Sequence, residues 1–302
     1  MSLKKIYILA IGLFTVGCFA QNNPFEHLSL EERKQLADKY NKLAALDNYY
    51  QTSEMHRIYK DSALMANPER KDIVQTYSYS YKKAGEHIKA MKLLNKAVEM
   101  DLKQGKTAAL EYKAWSMLYF YRDYEAAIKD VDLILEMKKE EPLKACHGEI
   151  CLLLKGQAQF QLKRYNEAIE TLEKLLELDK KRGFDPLDNF LAYFYIARSY
   201  TEINNLEKAI EYYENQLAVY DNFTEMHYQL GKIYLDKNNF EKASFHLNKA
   251  KELIGKGTKM YEPYIERFDE VYVEEIDLEL ERLKQKKDES KLRFIFCDFK
   301  SC

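Results

Sequence analysis

Residues 224–257, TEMHYQLGKIYLDKNNFEKASFHLNKAKELIGKG, contain the pattern that decides the fold. Two helix-forming stretches flank a short polar stretch at residues 238–239, which suits a tight turn between helices. Two antiparallel helices joined so closely need small side chains where their axes approach, so we expect Gly231 to face Ala243. The large side chain of Tyr234 then fills the space beside this contact. The stretch therefore predicts a helix–turn–helix unit.

The same pattern occurs five times along the chain. A helical alanine marks each copy, at Ala90, Ala127, Ala168, Ala209 and Ala243. Twelve residues before each alanine stand Ser78, Trp115, Gly156, Ala197 and Gly231, which are small in four of the five copies. A unit of two helices cannot bury its apolar face alone, and stacking on its neighbours gives it a core. The repetition therefore predicts an all-α stack of helix pairs.

This spacing of small, aromatic and alanine positions resembles the tetratricopeptide repeat family, whose unit is a helix–turn–helix of about 34 residues. The resemblance covers residues 71–257, is strongest over 224–257 and departs from the family at Trp115. It implies a right-handed α–α superhelical solenoid with five repeats.

The sequences on either side of the repeats predict terminal caps. Ser29 with Glu32 three residues later is a capping box, and we expect residues 21–70 to form a degenerate N-terminal helical repeat. A C-terminal capping helix over 258–286 is predicted by apolar residues at three- and four-residue steps, namely Ile265, Phe268, Tyr272, Ile276, Leu280 and Leu283. In the remaining tail, 287–302, the apolar stretch 292–297 favours a short strand, which we expect to fold back on the solenoid; the alternative is pairing with the edge of a partner.

Residues 1–20 have the features of a cleaved secretory signal. Lys4 and Lys5 precede an uncharged apolar run over residues 6–19, and small residues stand at Cys18 and Ala20 before a cleavage site. We expect export to the periplasm or cell envelope, or secretion. The alternatives are a retained membrane anchor and a bacterial lipoprotein signal, in which a lipid on Cys18 would give the protein its membrane contact.

Charge and composition exclude several functional classes. Lys+Arg 47 against Asp+Glu 49 gives a net charge of −2, which excludes binding of nucleic acid by bulk charge. The chain has no Gly-rich phosphate loop, nucleophile elbow or His-Glu-x-x-His helix, and its six histidines have no metal-ligand spacing. We therefore expect neither enzymatic activity nor a cofactor or metal.

The cysteines of the mature chain form two pairs. Cys146 and Cys151 are expected to be buried or partly buried thiols, because a helix would turn the two sulfurs to different faces. Cys297 and Cys302 are spaced to allow a small disulfide in an oxidising compartment.

In the family that the chain resembles, the first helix of each repeat lines the concave surface. The resemblance implies a groove that binds a protein or peptide and is lined by Tyr79, Lys82, Lys83, Tyr112, Tyr119, Phe120, Phe160, Phe194, Arg198, Tyr228 and Lys232. Aromatic and arginine side chains carry much of the binding energy at interfaces. For each aromatic residue the alternative is a packing role between neighbouring repeats.

The predicted function is a non-catalytic scaffold or adaptor of a bacterial cell envelope. The alternative is a glycan- or ligand-binding component of an envelope uptake complex, with sugars stacked on aromatic rings. The 24 Tyr and 15 Phe residues are compatible with both functions.

Overall fold

The computed structural model describes residues 23–45, 48–184, 189–260, 262 and 265–298, with side chains up to residue 290. The predicted signal with Cys18, and Cys302 with the side chain of Cys297, lie outside this description. The described residues form one small β-hairpin and thirteen α-helices: α1 Leu30–Leu43, α2 Glu54–Ala66, α3 Lys71–Lys83, α4 His87–Leu102, α5 Ala108–Ser116, α6 Tyr124–Met137, α7 Cys151–Gln161, α8 Tyr165–Lys181, α9 Phe190–Glu202, α10 Leu206–Val219, α11 Thr224–Asp236, α12 Phe240–Gly255 and α13 Val273–Asp298.

The described residues divide into two compact units, one before and one after the boundary between residues 100 and 101. In the first unit the predicted capping box is confirmed, since the Ser29 side chain accepts from the Glu32 backbone and the Glu32 side chain accepts from the Ser29 backbone. Helices α1 and α2 pack together, with Ala37, Ala63 and Ala66 fully buried between larger side chains.

Each of the five predicted repeats is a helix pair with the same turn. Five residues before each marker alanine the backbone is left-handed, with φ of 76° at Gly85, 55° at Arg122, 61° at Lys163, 60° at Asn204 and 56° at Asn238. In four repeats the next N–H donates to the carbonyl five residues earlier, as from Asn239 to Tyr234 at 2.8 Å. This is the Schellman type of helix ending, which satisfies a free carbonyl at the end of the first helix.

In the third and fifth repeats, the second helix leaves no room for a Cβ atom at a glycine of the first helix. A Cβ atom on Gly231 would lie 2.6 Å from Cγ of Leu247, and one on Gly156 would lie 2.5 Å from Cγ of Leu172. The predicted close approach is therefore confirmed, but the nearest neighbour of Gly231 is Leu247 rather than Ala243. Helical side chains point back towards the N-terminus, so Leu247 covers the turn of α12 that contains Ala243.

The second repeat contains one more residue between its buried small residue and its marker alanine than the third and fifth repeats do. Helix α5 continues into a π-helical turn, Met117–Tyr121, and the N–H of Asp123 donates to the carbonyl of Met117, six residues earlier. The extra residue shifts the register, so the fully buried Ala114 takes the position that glycine holds in the third and fifth repeats. The assignment of Trp115 to that position was therefore wrong.

A disulfide-closed hairpin precedes the third repeat. Strands β1 Ala145–Cys146 and β2 Glu149–Ile150 pair antiparallel, and Cys146 is bonded to Cys151. The prediction of two thiols on one helix is wrong, because the chain reverses at His147 and Gly148, both with positive φ, and α7 begins only at Cys151.

The last helix begins later and runs further than the sequence suggests. Helix α13 packs against α11 and α12 through the buried Ile276 and Leu283. Residues 292–297 belong to this helix, so the predicted strand is wrong. Ile265 and Phe268 precede the helix in a segment without regular structure. Among the described residues, no helix combines the length and apolar character needed to cross a bilayer.

Candidate functional site

Three of the predicted groove residues belong to the first unit. Tyr79 is half-buried and its hydroxyl accepts from Nε2 of Gln75 at 2.9 Å. Burial lowers the pKa of Lys82 to about 8, and the neighbouring Lys83 is exposed. These side chains lie on α3, the first helix of the first repeat.

In the second unit, most of the predicted aromatic residues are buried. Phe194 has no exposed surface and packs against Tyr213 and Phe223, so it presents no contact area to a partner. Its position is that of a packing residue between helices. The others with little exposure are Tyr112, Tyr119, Phe160 and Tyr228, at 5%, 2%, 7% and 7%.

The three remaining candidates of this unit are Phe120, Lys232 and Arg198, and the Arg198 side chain is 14% exposed. Phe120 is half-buried and its ring meets Tyr121 edge-on, at 5.2 Å between centroids. Nζ of Lys232 lies 5.0 Å from the ring centroid of Tyr228, whose pKa burial raises to about 12. A lysine over a ring is a favourable cation–π contact.

A non-helical stretch of the same chain lies on the first helices of the second unit. We call residues 265–271 the docked segment, and the surface formed by α5 with its π turn, α7, α9 and α11 the first-helix face. Phe268 is 6% exposed and stacks on Tyr119 at 5.7 Å between centroids. Tyr124 meets the Phe268 ring edge-on at 5.8 Å, and the guanidinium of Arg122 lies 5.3 Å from its centroid. Phe268 is thus held in an aromatic site.

The next residue of the docked segment forms a largely buried ion pair. Oδ1 of Asp269 lies 3.0 Å from an Arg198 nitrogen, and their side chains are 15% and 14% exposed. Burial raises the pKa of Asp269, while the charge of Arg198 acts in the opposite direction. The guanidinium also lies 5.4 Å from the ring centroid of Phe160. The hydroxyl of Tyr195 donates to the Phe268 carbonyl at 3.3 Å, which fixes the backbone between the two anchors.

The disulfide-closed hairpin holds the other side of the docked segment. Both terminal guanidinium nitrogens of Arg267 donate to Oε1 of Glu149 at 3.2 Å, and the guanidinium lies 4.7 Å from the Tyr119 ring centroid. The Tyr119 hydroxyl donates to Oε2 of Glu149 at 2.6 Å and accepts from Nε2 of Gln157 at 2.7 Å. Three consecutive residues, basic, aromatic and acidic, are therefore each matched by the face.

Cavities lie beside the docked segment. One, of about 370 Å³, is largely apolar and is lined by Phe190, Leu191, Tyr195 and Phe268 among others. At its edge the buried Glu225 accepts from the backbone N–H of Met260 at 2.8 Å, and burial raises the Glu225 pKa to about 7. A second cavity, of about 380 Å³, is polar and includes Arg198 in its lining.

The face brings together three residues that the sequence singled out, Tyr119, Phe160 and Arg198. Sequence reasoning missed Glu149 and Tyr195, and it placed Phe268 on a helix. Gly148 between two nearby cysteines was the available signal for the hairpin. No repeating pattern marks the docked segment, because its contacts are made with residues far away in the sequence.

Paired helices with a shared left-handed turn define an all-α helical-repeat protein. A family model described as Tetratricopeptide repeat matches residues 72–104, 151–182 and 224–256, and a second model of the same description matches 192–226. The chain contains tetratricopeptide repeats over these ranges. The matched ranges omit the second repeat, whose π turn shifts the register.

Solved structures with this fold come from several bacteria. PilF from Pseudomonas aeruginosa is 16% identical, with a TM-score of 0.53 over 74% of this chain and 94% of that chain. PilW is 16% identical, with a TM-score of 0.52 over 75% and 94%. MamA from Desulfovibrio magneticus RS-1 is 19% identical, with a TM-score of 0.50 over 62% and 96%. At these identities the similarity shows the fold, a helical solenoid. No curated protein matches the chain by sequence.

Proposed function

We propose that the protein is a non-catalytic adaptor of a bacterial cell envelope that binds a protein or peptide on its first-helix face. The observation that carries the proposal is the docked segment. A non-helical stretch of chain is bound there through a stacked ring, a buried ion pair and a backbone hydrogen bond. A surface that holds one peptide in this way has the chemistry to hold another.

The disulfide supports export. Disulfides persist in oxidising compartments and are rare in the cytosol, and Cys146 and Cys151 are bonded and fully buried. The signal-like residues 1–20 agree with this location. PilW is described as a widely conserved type IV pilus biogenesis factor, and an envelope adaptor of this general kind is what we propose here.

Photo-crosslinking in cells tests the proposal. A photoreactive residue is placed at Lys232 or Phe120, and a matched control at the exposed Arg182, which follows α8. We expect a crosslinked partner from the first two positions and none from the control. Equal crosslinking at all three positions, or crosslinking at the control alone, would contradict a binding role for this face.

Export is tested on the same cells. We expect the protein in the envelope or periplasmic fraction, with Cys146 and Cys151 protected from alkylation until a reductant is added. Reactive thiols at these positions in the untreated protein, or a cytoplasmic location, would contradict the envelope assignment.

A further inference from the structure

The docked segment occupies the first-helix face as a ligand would. Arg267, Phe268 and Asp269 each have a separate receptor group, and the ring and the carboxylate are largely buried. The segment belongs to no helix or strand. Its contacts with the face are made by side chains and by the carbonyls of Glu266 and Phe268, in the manner of a bound peptide.

The fit of this segment is incomplete. Nε of Arg198 and Oδ2 of Asp269 are buried, and neither has a hydrogen-bond partner within the part of the chain that the structure describes. Asp269 also has a φ of 56°, in the left-handed region that disfavours residues with a Cβ atom. Buried polar atoms without partners and a left-handed backbone both weaken docking. A carboxylate that reached two nitrogens of Arg198 would form the stronger, bidentate pair.

We propose that the docked segment is an internal ligand, and that the partner displaces it with a basic–aromatic–acidic tripeptide of its own. The proposal rests on the proposed function, since it assigns the partner class and the regulation of the same face. The partner's aromatic ring takes the place of Phe268 on Tyr119, and its carboxylate takes the place of Asp269 on Arg198.

The basic residue follows from the hairpin. Glu149 is held by Tyr119 and by Arg267, and Arg267 leaves with the docked segment. The carboxylate of Glu149 then lacks its cation, so a partner that supplies one restores the pair. A partner can bind the face only during the fraction of time in which the segment is released. The apparent affinity of the partner is therefore its intrinsic affinity multiplied by that fraction.

The test uses a fluorescent peptide that copies residues 265–271, IERFDEV, and measures its binding by anisotropy. In the protein, Phe268→Ala with Asp269→Asn releases the docked segment. We expect this variant to bind the peptide at least tenfold more tightly than the unmodified protein does. Asp269→Asn alone is expected to give an intermediate value, and it serves as the release variant if the double variant fails to fold by circular dichroism.

Peptide controls carry Ala in place of Phe268 or Asn in place of Asp269, and a protein control adds Arg198→Gln to the release variant. Each is expected to weaken binding at least tenfold. Equal dissociation constants for the unmodified and released proteins would overturn the proposal, as would equal binding of the control peptides.

Two further outcomes separate this inference from the proposed function. If release leaves peptide binding unchanged while crosslinking at Lys232 persists, the internal ligand is refuted and the adaptor stands. If the released protein binds the peptide through Arg198 but no partner crosslinks to the face, the internal site stands and the adaptor fails. A dimer of the unmodified protein that is lost on release would show that the segment docks on a second copy, and would overturn the partner class.

Discussion

The second and fifth repeats use the same helix–turn–helix plan with different interior residues. The fifth repeat brings its helices together at Gly231, whereas the second uses Ala114 after a one-residue shift. Three residues after the marker alanine, the fifth repeat buries His246 and the second buries Asp130. The two repeats thus share the geometry of the turn but differ in helix register and in the titratable side chain that they bury.

The buried position three residues after the alanine gives the two repeats opposite responses to pH. His246 Nδ1 lies 3.0 Å from Nδ1 of His227, and burial lowers the His246 pKa to about 4. Asp130 is bonded to Lys113 at 2.8 Å, and burial raises its pKa. His246 is therefore held as the neutral imidazole, and its contribution to the stability of the fold is greater at high pH. The contribution of Asp130 is greater at low pH.

The largest expected effect is the pH dependence that His246 confers. The folded pKa of about 4 lies below the ordinary value of 6.5, so the unfolded chain binds more protons between these values. Stability is full above pH 6.5 and falls as the pH drops towards 4, by about 3 kcal/mol.

The measurement is the free energy of unfolding by urea, compared between the unmodified protein and His246→Gln at each pH. The difference between the two is needed because burial raises the Glu225 pKa to about 7, which acts in the opposite direction between pH 4.5 and 7. A difference that stays constant from pH 7 to pH 4 would show that His246 is not held in its neutral form.

The second effect tests the register of the second repeat. We expect Ala114→Leu and, in the fifth repeat, Gly231→Leu each to cost about 2 kcal/mol by overpacking. Trp115→Leu loses ring contacts with Tyr112, Tyr119 and His147, at about 1 kcal/mol. Chemical unfolding measures all three, with Gly255→Ala as a control because a Cβ there meets no atom within 4 Å. If the substitution at residue 115 lowers the free energy of unfolding more than the one at residue 114, Trp115 rather than Ala114 occupies the small position of the second repeat.

The smallest effect concerns the turn that all repeats share. Lys163 has a φ of 61° and carries a Cβ atom, so Lys163→Gly should stabilise the third repeat by about 1 kcal/mol. Gly85→Ala, at the same position of the first repeat, should destabilise by a similar amount. Thermal unfolding gives both values, and two shifts of the same sign would show that the turn does not control stability.

The sequence predicted those parts of the fold that recur. The marker alanines are all buried, and the glycine contacts occur at the predicted glycines, because packing at fixed intervals leaves a periodic signal. The left-handed turn was not predicted at Arg122 or Lys163, since neither side chain is typical of that conformation. The π turn adds one residue to the first helix, and the amino-acid types around it do not mark this insertion. Trp115 was therefore assigned to the small position of the repeat, one residue out of register.

The candidate site was predicted less completely than the fold. Tyr119 and Arg198 were identified from their positions in the repeats, but what binds them was not. The Arg267–Glu149 pair spans 118 residues, and the bond from Tyr195 to Phe268 spans 73. Such contacts join a repeat to a stretch outside the repeats, so periodicity contains no information about them.

The attachment of the docked segment at both ends has a kinetic consequence. It lies between α12 and α13, and Nζ of Lys259 forms an ion pair with Glu270 at 2.6 Å. A ligand tethered in this way rebinds at an effective concentration in the millimolar range. A free peptide at micromolar concentration therefore needs about a thousandfold greater intrinsic affinity to occupy half of the molecules. The tether thus raises the partner concentration at which half of the molecules are occupied and leaves the binding curve hyperbolic.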